Sequence, residues 1–248
     1  MRIEQLEAIA EEAGNAVLPL YRSGHIDVIT KADASPVTKA DLLANEIICR
    51  GIRQFSNLPI ISEEGSGDDV DPKDHPSSFW LIDPIDGTKE FIAHRPTFTV
   101  NIALIEHGVP IAGVVHAPDR GELYSGSSQG FRLNGALQSP QWAAEPTVVA
   151  SATHTEKEFE AFLSKNQLLK VLRIGSSIKF CLVAKGDAHY YPRYNSLSAW
   201  DIAAGHAVAR AAGCHMLDMK SGKPVLYDFR QRWVPGFVLH APGLTAIV

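Results

Sequence analysis

The chain has 248 residues, 45% of them hydrophobic and 21% charged, with a formal net charge of −5. A chain of this length buries about 70–75% of the surface its unfolded form exposes, so it needs no staples to fold, and its composition is that of an ordinary globular protein. No basic stripe is present to displace counterions from a nucleic-acid backbone, which excludes DNA and RNA as expected partners; a small phosphorylated substrate stays open, provided that metal supplies the positive charge.

Ile3, Leu6, Ile9, Ala10, Ala13 and Val17 recur at helical spacing, so an amphipathic helix is expected over 3–20, with Pro19 near its end. Acids run through this N-terminal pattern, which does not read as a signal peptide. A polar, turn-rich stretch around Ser35 and Pro36 leads to a second helix from Lys39, carried by Leu42, Leu43, Ile47, Ile48 and Ile52. "LPIISEE" reads as a short strand ending on Glu63 and Glu64, and 65–78 as a surface loop. "FWLIDPIDG" is a second strand ending on carboxylates. "TFTVNIALIEHGVPIAGVVHAP" and "GELYSGSSQGFRLNG" read as antiparallel strands, ending near Gln138.

"SPQWAAEP" is the expected linker, dividing the chain into an N-terminal α+β domain over 1–140 and a C-terminal α/β domain over 141–248. Beyond it strands and helices alternate: "TVVAS", a helix at 155–165, "LKVLRIG", a helix at 176–184, "AHYYPR" and a helix at 200–212. No apolar run approaches the roughly 20 residues needed to span a bilayer. Cys49, Cys181 and Cys214 lie far apart with no CxxC pair, the usage of a reducing compartment. The expected location is the cytoplasm, with peripheral association at the inner membrane left open.

Several stretches carry chemistry, and each has a plainer reading. Asp83-Pro84-Ile85-Asp86-Gly87 has the residues of a tight turn, since proline fixes φ and glycine permits positive φ. It lacks the alternating oxygen ligands and late glutamate of an EF-hand loop. Yet an apolar strand delivers it to a C-terminal strand end, where α/β proteins gather ligands, and Thr88 then opens a helical turn whose free N–H groups suit phosphate. "ISEEG" repeats the design, and two such strand ends side by side could share a metal cluster. Asp201, in "AWDIAAGHAVARAAG", precedes an alanine-rich helix, where an aspartate commonly serves as a cap. The small residues that follow imply close packing on a neighbour. Gly175, Ser176 and Ser177 at a helix start, with Lys179 in reach, suit phosphate or form an ordinary loop. "SPVTKAD" puts Thr38 and Asp41 ahead of a helix in a capping pattern. "GSSQG" fits the nucleophile elbow, but a strand-like segment follows where that motif needs a helix. The histidines show no zinc spacing.

Taken together, Glu-Glu at a strand end, D-P-I-D-G-T and W-D-x-A-A-G, in that order, resemble the inositol monophosphatase superfamily of magnesium-dependent, lithium-sensitive phosphatases. "SPVTKAD", "DGTKEFI", "FTVNIALIEHG", "GSSIKFCLVAKGDAHYYPR" and "WDIAAGHAVARAAG" bring the likeness closer to its branch of 3′(2′),5′-bisphosphate nucleotidases, along nearly the whole chain. The resemblance implies a layered sugar-phosphatase fold, α+β or α/β, of alternating helix and sheet layers, and two or more Mg²⁺ per site. Glu63, Asp83 and the Ile85 carbonyl would hold a first Mg²⁺; Asp83, Asp86 and Asp201 a second. Asp41 and Thr88 would orient and deprotonate water. Substrate contacts would come from Glu63, Ile85, Asp86, Gly87, Thr88 and Asp201, with Gly175, Ser176, Ser177 and Lys179 near the nucleotide. The branch usually has Pro-Thr ahead of Trp-Asp; here the stretch is "NSLSAWD", with Ser196 and Ser198 as candidates for the same wall. The implied activity is hydrolysis of adenosine 3′,5′-bisphosphate to AMP and phosphate, with the 5′-phosphosulfate analogue as a second substrate. An inositol-phosphate or fructose-bisphosphate phosphatase, and a non-catalytic phosphate- or metal-binding regulator, are the rival readings.

Overall fold

The apolar runs sort into layers. The computed structural model describes residues 2–24, 28–30, 36–65, 76–152, 157–168 and 170–244. In chain order its first half contains α1 (Ile3–Arg22), β1 (Val28–Thr30), β2 (Pro36–Thr38), α2 (Lys39–Arg53), β3 (Ile60–Ser62), β4 (Ser78–Asp86), α3 (Thr88–Ile92), β5 (Thr99–Glu106), β6 (Val109–Ala117), β7 (Glu122–Ser127), β8 (Gly130–Leu133) and β9 (Ala136–Leu137). The second half contains β10 (Thr147–Ser151), α4 (Lys157–Lys165), β11 (Lys170–Ile174), α5 (Ile178–Lys185), β12 (Tyr190–Arg193), β13 (Leu197–Ser198), α6 (Ala199–Ala211), β14 (His215–Asp218), β15 (Trp233–Val234) and β16 (Phe237–His240). Most of the loop expected over 65–78 lies outside the described residues, as do the first residues of the helix expected from 155. Pro19 does not end α1; the helix carries it inside and continues to Arg22.

A seven-stranded sheet takes the order β3-β4-β5-β6-β7-β8-β9, and a five-stranded sheet the order β11-β10-β12-β16-β14. The β3–β4 pair is parallel and the other neighbours in the first sheet are antiparallel. Successive side chains on a strand leave opposite faces. Trp80, Ile82, Val100, Ile102 and Val114 accordingly join Leu6, Ala10, Val17, Ala44 and Ile48 of α1 and α2 in one core. Phe79, Leu81, Ala103, Ile105 and Val115 leave the other face and join Phe180 of α5 and Ile202 and Ala203 of α6. The same core takes Val149, Tyr191 and Leu239 from the second sheet. That sheet's far face, with Val148, Tyr190 and Val238, packs on Phe159 and Phe162 of α4. The layers therefore run helices, sheet, helices, sheet, helix. Burial on both faces explains why "FWLI" and "NIALI" read as unbroken apolar runs.

The small residues of α6 do what their pattern implied. A Cβ on Gly113 of β6 would lie 2.7 Å from Ala207 Cβ, and one on Gly126 of β7 would lie 2.7 Å from Ala207 O. Gly205 in turn lies under the Phe180 ring, where a Cβ would come within 2.5 Å. Close approach seats α6 between the sheets, and its first turn carries Asp201. Among the described residues no helix is long and apolar enough to cross a membrane.

Candidate active site

Parallel pairing of β3 with β4 sets Ser62 beside Ile82, so the next residues, Glu63 and Asp83, emerge as neighbours. The Glu63 N–H donates to Ile82 O at 3.2 Å and fixes that exit. The stretch from Asp83 to Asp86 is not a tight turn. It continues β4, with a register shift that pairs Asp83 with Asn101 and Asp86 with Thr99. The extra residue on β4 is a bulge. In a regular strand Asp83 and Asp86 would leave opposite faces; the bulge brings both carboxylates to one cavity, with Glu63, Ile85, Gly87, Thr88 and Asp201. Pro84 fits here because a bulge needs no ladder N–H from it. The Ile85 N–H donates to Asp83 Oδ1 at 3.1 Å. Gly87, at φ 91°, then takes the left-handed turn into α3.

Oxygens of Glu63, Asp83 and Asp201 lie within 4.8 Å of one another. Asp201 does not precede its helix. Ser198 is the N-cap and Asp201 the third helical residue. Burial, then the charges of Glu63, Asp86, Asp201 and Asp41, push the Asp83 carboxyl well above the usual range. Asp201 is pushed well above it too, by burial and then by Asp86 and Glu63. Burial raises Asp86 to about 6, against the pull of Lys179 and of the Ser177 N–H. Crowded, desolvated carboxylates resist ionising together, and a hard, oxygen-seeking cation relieves the repulsion. The donor set fits Mg²⁺.

Asp41 lies at the edge of this cluster and is 1% exposed. Its capping reading holds: Asp41 completes the capping box of α2. Thr38 caps α2, and Asp41 Oδ2 accepts from Thr38 N at 2.8 Å and from Thr38 Oγ1 at 2.6 Å. The other oxygen, Oδ1, is 3.4 Å from Thr88 Oγ1, which also lies 3.2 Å from Ile85 O. Burial raises the Asp41 pKa.

A second cavity adjoins the first and shares Asp86, Gly87, Glu90 and Asp201 with it. Gly175, Ser176, Ser177 and Lys179, the residues expected near the nucleotide, line it. Lys179 Nζ donates to Ser176 O at 2.5 Å and lies 5.5 Å from the Tyr191 ring centroid. Burial lowers its pKa to about 8, although Asp86 pulls it up. Glu90, Tyr191 and Arg193 also line this cavity, and sequence reasoning missed all three as site residues. The available signal was the period of two in "YYPR", which sends Tyr191 and Arg193 to one face of β12. Of the stretch expected as a wall, Ser196 is exposed, Ser198 is buried at the N-cap of α6, and Leu197 between them lines the cavity. "GSSQG" is a β7–β8 hairpin turn with no helix after it. His206 is buried against the Tyr227 hydroxyl, away from the cluster.

The profile of the inositol monophosphatase family matches residues 2–244, and the chain belongs to that family. It is 43% identical over 246 residues to the 3′(2′),5′-bisphosphate nucleotidase CysQ of Escherichia coli, covering 95% of this chain and 98% of that one. A protein of the same name from Aggregatibacter actinomycetemcomitans is 29% identical over 249 residues, covering 96% of this chain and 91% of that one. Among solved structures, CysQ from Bacteroides thetaiotaomicron, described as a bacterial member of the inositol monophosphatase family, is similar with a TM-score of 0.81 at 34% identity, over 96% of this chain and 97% of that one. The Thermotoga maritima IMPase gives a TM-score of 0.79 at 26% identity, over 96% of this chain and 91% of that one.

Proposed function

We propose that this chain is a Mg²⁺-dependent phosphomonoesterase that removes the 3′-phosphate of adenosine 3′,5′-bisphosphate, giving AMP and phosphate, and that also accepts the 5′-phosphosulfate analogue. The observation that carries the reading is the pair of adjoining cavities. One is lined by the carboxylate cluster and the Gly87–Thr88 turn, the other by Lys179 and Arg193, and Asp86 belongs to both. A substrate with two anionic groups has a place for each. The likeness to CysQ proteins over nearly the whole chain supports the same substrate class.

In this reading Glu63, Asp83 and the Ile85 carbonyl hold one Mg²⁺, and Asp83, Asp86 and Asp201 hold another. The chemistry two such ions supply, when bound, is neutralisation of phosphoryl charge and acidification of water. Thr88 Oγ1 accepts a hydrogen bond from the attacking water and passes its own proton towards Asp41 Oδ1. Thr38 keeps Asp41 Oδ2 occupied, so the carboxylate cannot rotate away. The first N–H groups of α3, which have no partner within that helix, receive the departing phosphate. Lys179 and Arg193 bind the phosphate that stays.

The test is turnover with adenosine 3′,5′-bisphosphate, its 5′-phosphosulfate analogue, inositol 1-phosphate and fructose 1,6-bisphosphate, with Mg²⁺ and with EDTA. The bisphosphate nucleotide is expected to exceed inositol 1-phosphate in kcat/KM, because a monophosphate offers Lys179 and Arg193 no second anionic group to bind. Equal or higher kcat/KM for inositol 1-phosphate overturns the substrate assignment. Full activity in EDTA overturns the metal requirement.

A further inference from the structure

Thr99 and Asn101 stand on β5 directly opposite Asp86 and Asp83. Both are 0% exposed. From the other side of the layer comes Ser177, at the start of α5. Its Oγ lies 2.8 Å from Thr99 Oγ1 and 2.8 Å from Asn101 Oδ1. An amide oxygen only accepts, so the Ser177 hydroxyl donates to Asn101; its single proton is then engaged, and Thr99 must donate to Ser177. The bonds run one way, from Thr99 through Ser177 to Asn101. The N–H of the same Ser177 donates to Asp86 Oδ2 at 2.5 Å. Among the described residues Asn101 Nδ2 has no hydrogen-bond partner, which leaves one buried donor on the Asp83 side of this network.

We propose that Ser177 is a positioning residue for the metal centre. Thr99 and Asn101 fix its hydroxyl, the hydroxyl fixes its peptide N–H, and the N–H engages Asp86 Oδ2 so that Oδ1 faces the cation. The inference rests on the metal-dependent reading above. The β4–β5 ladder resumes at Asp86, opposite Thr99, which sets where the side chain leaves the strand; it does not set the rotation of the carboxylate, and the Ser177 N–H on Oδ2 does. Groups that orient a metal ligand are worth about 10–100-fold in metal affinity or activity. The network also joins the loop at Gly175–Ser177, which lines the second cavity, to the acidic cluster that lines the first.

The experiment is a calorimetric titration of Mg²⁺ into metal-free protein without substrate. The proteins are wild type, Ser177→Ala, Thr99→Val and Thr99→Ser. Thr99→Val keeps the shape and removes the donor; Thr99→Ser keeps the donor. Thermal melting of each metal-free protein is measured alongside. The expected result is a dissociation constant raised about tenfold or more in Ser177→Ala and Thr99→Val, and a wild-type constant in Thr99→Ser. If one of the first two fails to fold, the other decides. Wild-type affinity in a folded Ser177→Ala or Thr99→Val protein, even one with a lowered melting temperature, overturns this inference alone, because the network then only supports the fold. No Mg²⁺ binding by the wild type overturns the functional reading and this inference with it.

Discussion

Asp83 and Asp86 reach the same cavity although an odd number of positions separates them, because the bulge in β4 adds the residue that corrects the phase. The pairing makes the two charges mutually costly. Asp86→Asn is expected to fold, since the residue fills no apolar core position and its amide oxygen can still accept from the Ser177 N–H. Turnover should fall by about 10²–10³-fold, the scale of removing one preorganised electrostatic contact from a transition state. The metal-free variant should melt higher than metal-free wild type, because a buried like charge has been removed. Steady-state kinetics and thermal melts in EDTA check both halves, and most of the wild-type rate at modest Mg²⁺ would show that Asp86 holds no metal.

Stability of the metal-free protein should depend on pH in a direction opposite to ordinary acid denaturation in this window. Asp83 and Asp201 have carboxyl pKa values well above the ordinary range in the fold, and Asp86 is raised to about 6. Where the folded value exceeds the unfolded one, the folded state binds more protons between the two. Their contribution is fully present below the unfolded carboxylate range, near pH 4, and is lost as pH rises through the folded values. Melting temperature in EDTA should therefore decline from about pH 4 to above pH 6. Mg²⁺ should restore it most at neutral pH and least in acid. Parallel curves with and without Mg²⁺ would contradict the cluster's assignment as a cation site.

Gly126→Ala should couple packing to metal binding. The added Cβ would meet Ala207 O and Val208 Cα at 2.7 Å, backbone that cannot swing aside. Overpacking of this kind costs about 1–3 kcal/mol, and the relief available is a shift of α6. Asp201 sits in the first turn of that helix, so Mg²⁺ affinity should fall together with stability in urea. A loss of stability with unchanged Mg²⁺ affinity would mean that the helix end is anchored independently of its packing.

Lithium should inhibit. Li⁺ resembles Mg²⁺ in size and suits the same oxygen donors, but it has half the charge and would support a departing oxygen poorly. Na⁺ is larger and should fit less well. Rates at saturating substrate and fixed Mg²⁺, with LiCl or NaCl at matched concentration, separate a site effect from ionic strength. Identical curves for the two salts would overturn the lithium prediction and weaken the placement of Asp201 at the second metal position.

Local pattern carried much of the fold to the page. The helical spacing of Ile3, Leu6, Ala10 and Val17 gave α1, and "SPVTKAD" gave the cap of α2, because these signals lie within a turn or two of chain. Proline and glycine in "DPIDG" suggested a turn, since the same residues serve turns and bulges; only the partner strand's register distinguishes them. Asp201 looked like a cap because serine and aspartate compete for that position, and Ser198 holds it. Glu90, Tyr191 and Arg193 were not legible as site residues. The alternation in "YYPR" puts Tyr191 and Arg193 on one face of β12, but that this face meets Glu90 at the cavity depends on how the second sheet lies over the first, which no local spacing records.

The glycines under α6 separate what this scaffold can vary from what it cannot. A helix pressed on Gly113 and Gly126 leaves no room for larger side chains beneath it, so Asp201 is delivered from a rigid mount. Arg193 and Leu197, both only partly buried, come instead from β12 and β13 ahead of that helix, on the wall of the second cavity. Retuning the enzyme for a different leaving group is then a matter of replacing wall residues while the mount stays untouched. A library confined to those wall positions should return altered selectivity with little loss of folded protein, whereas one drawn across α6 should return mostly chains that fail to assemble.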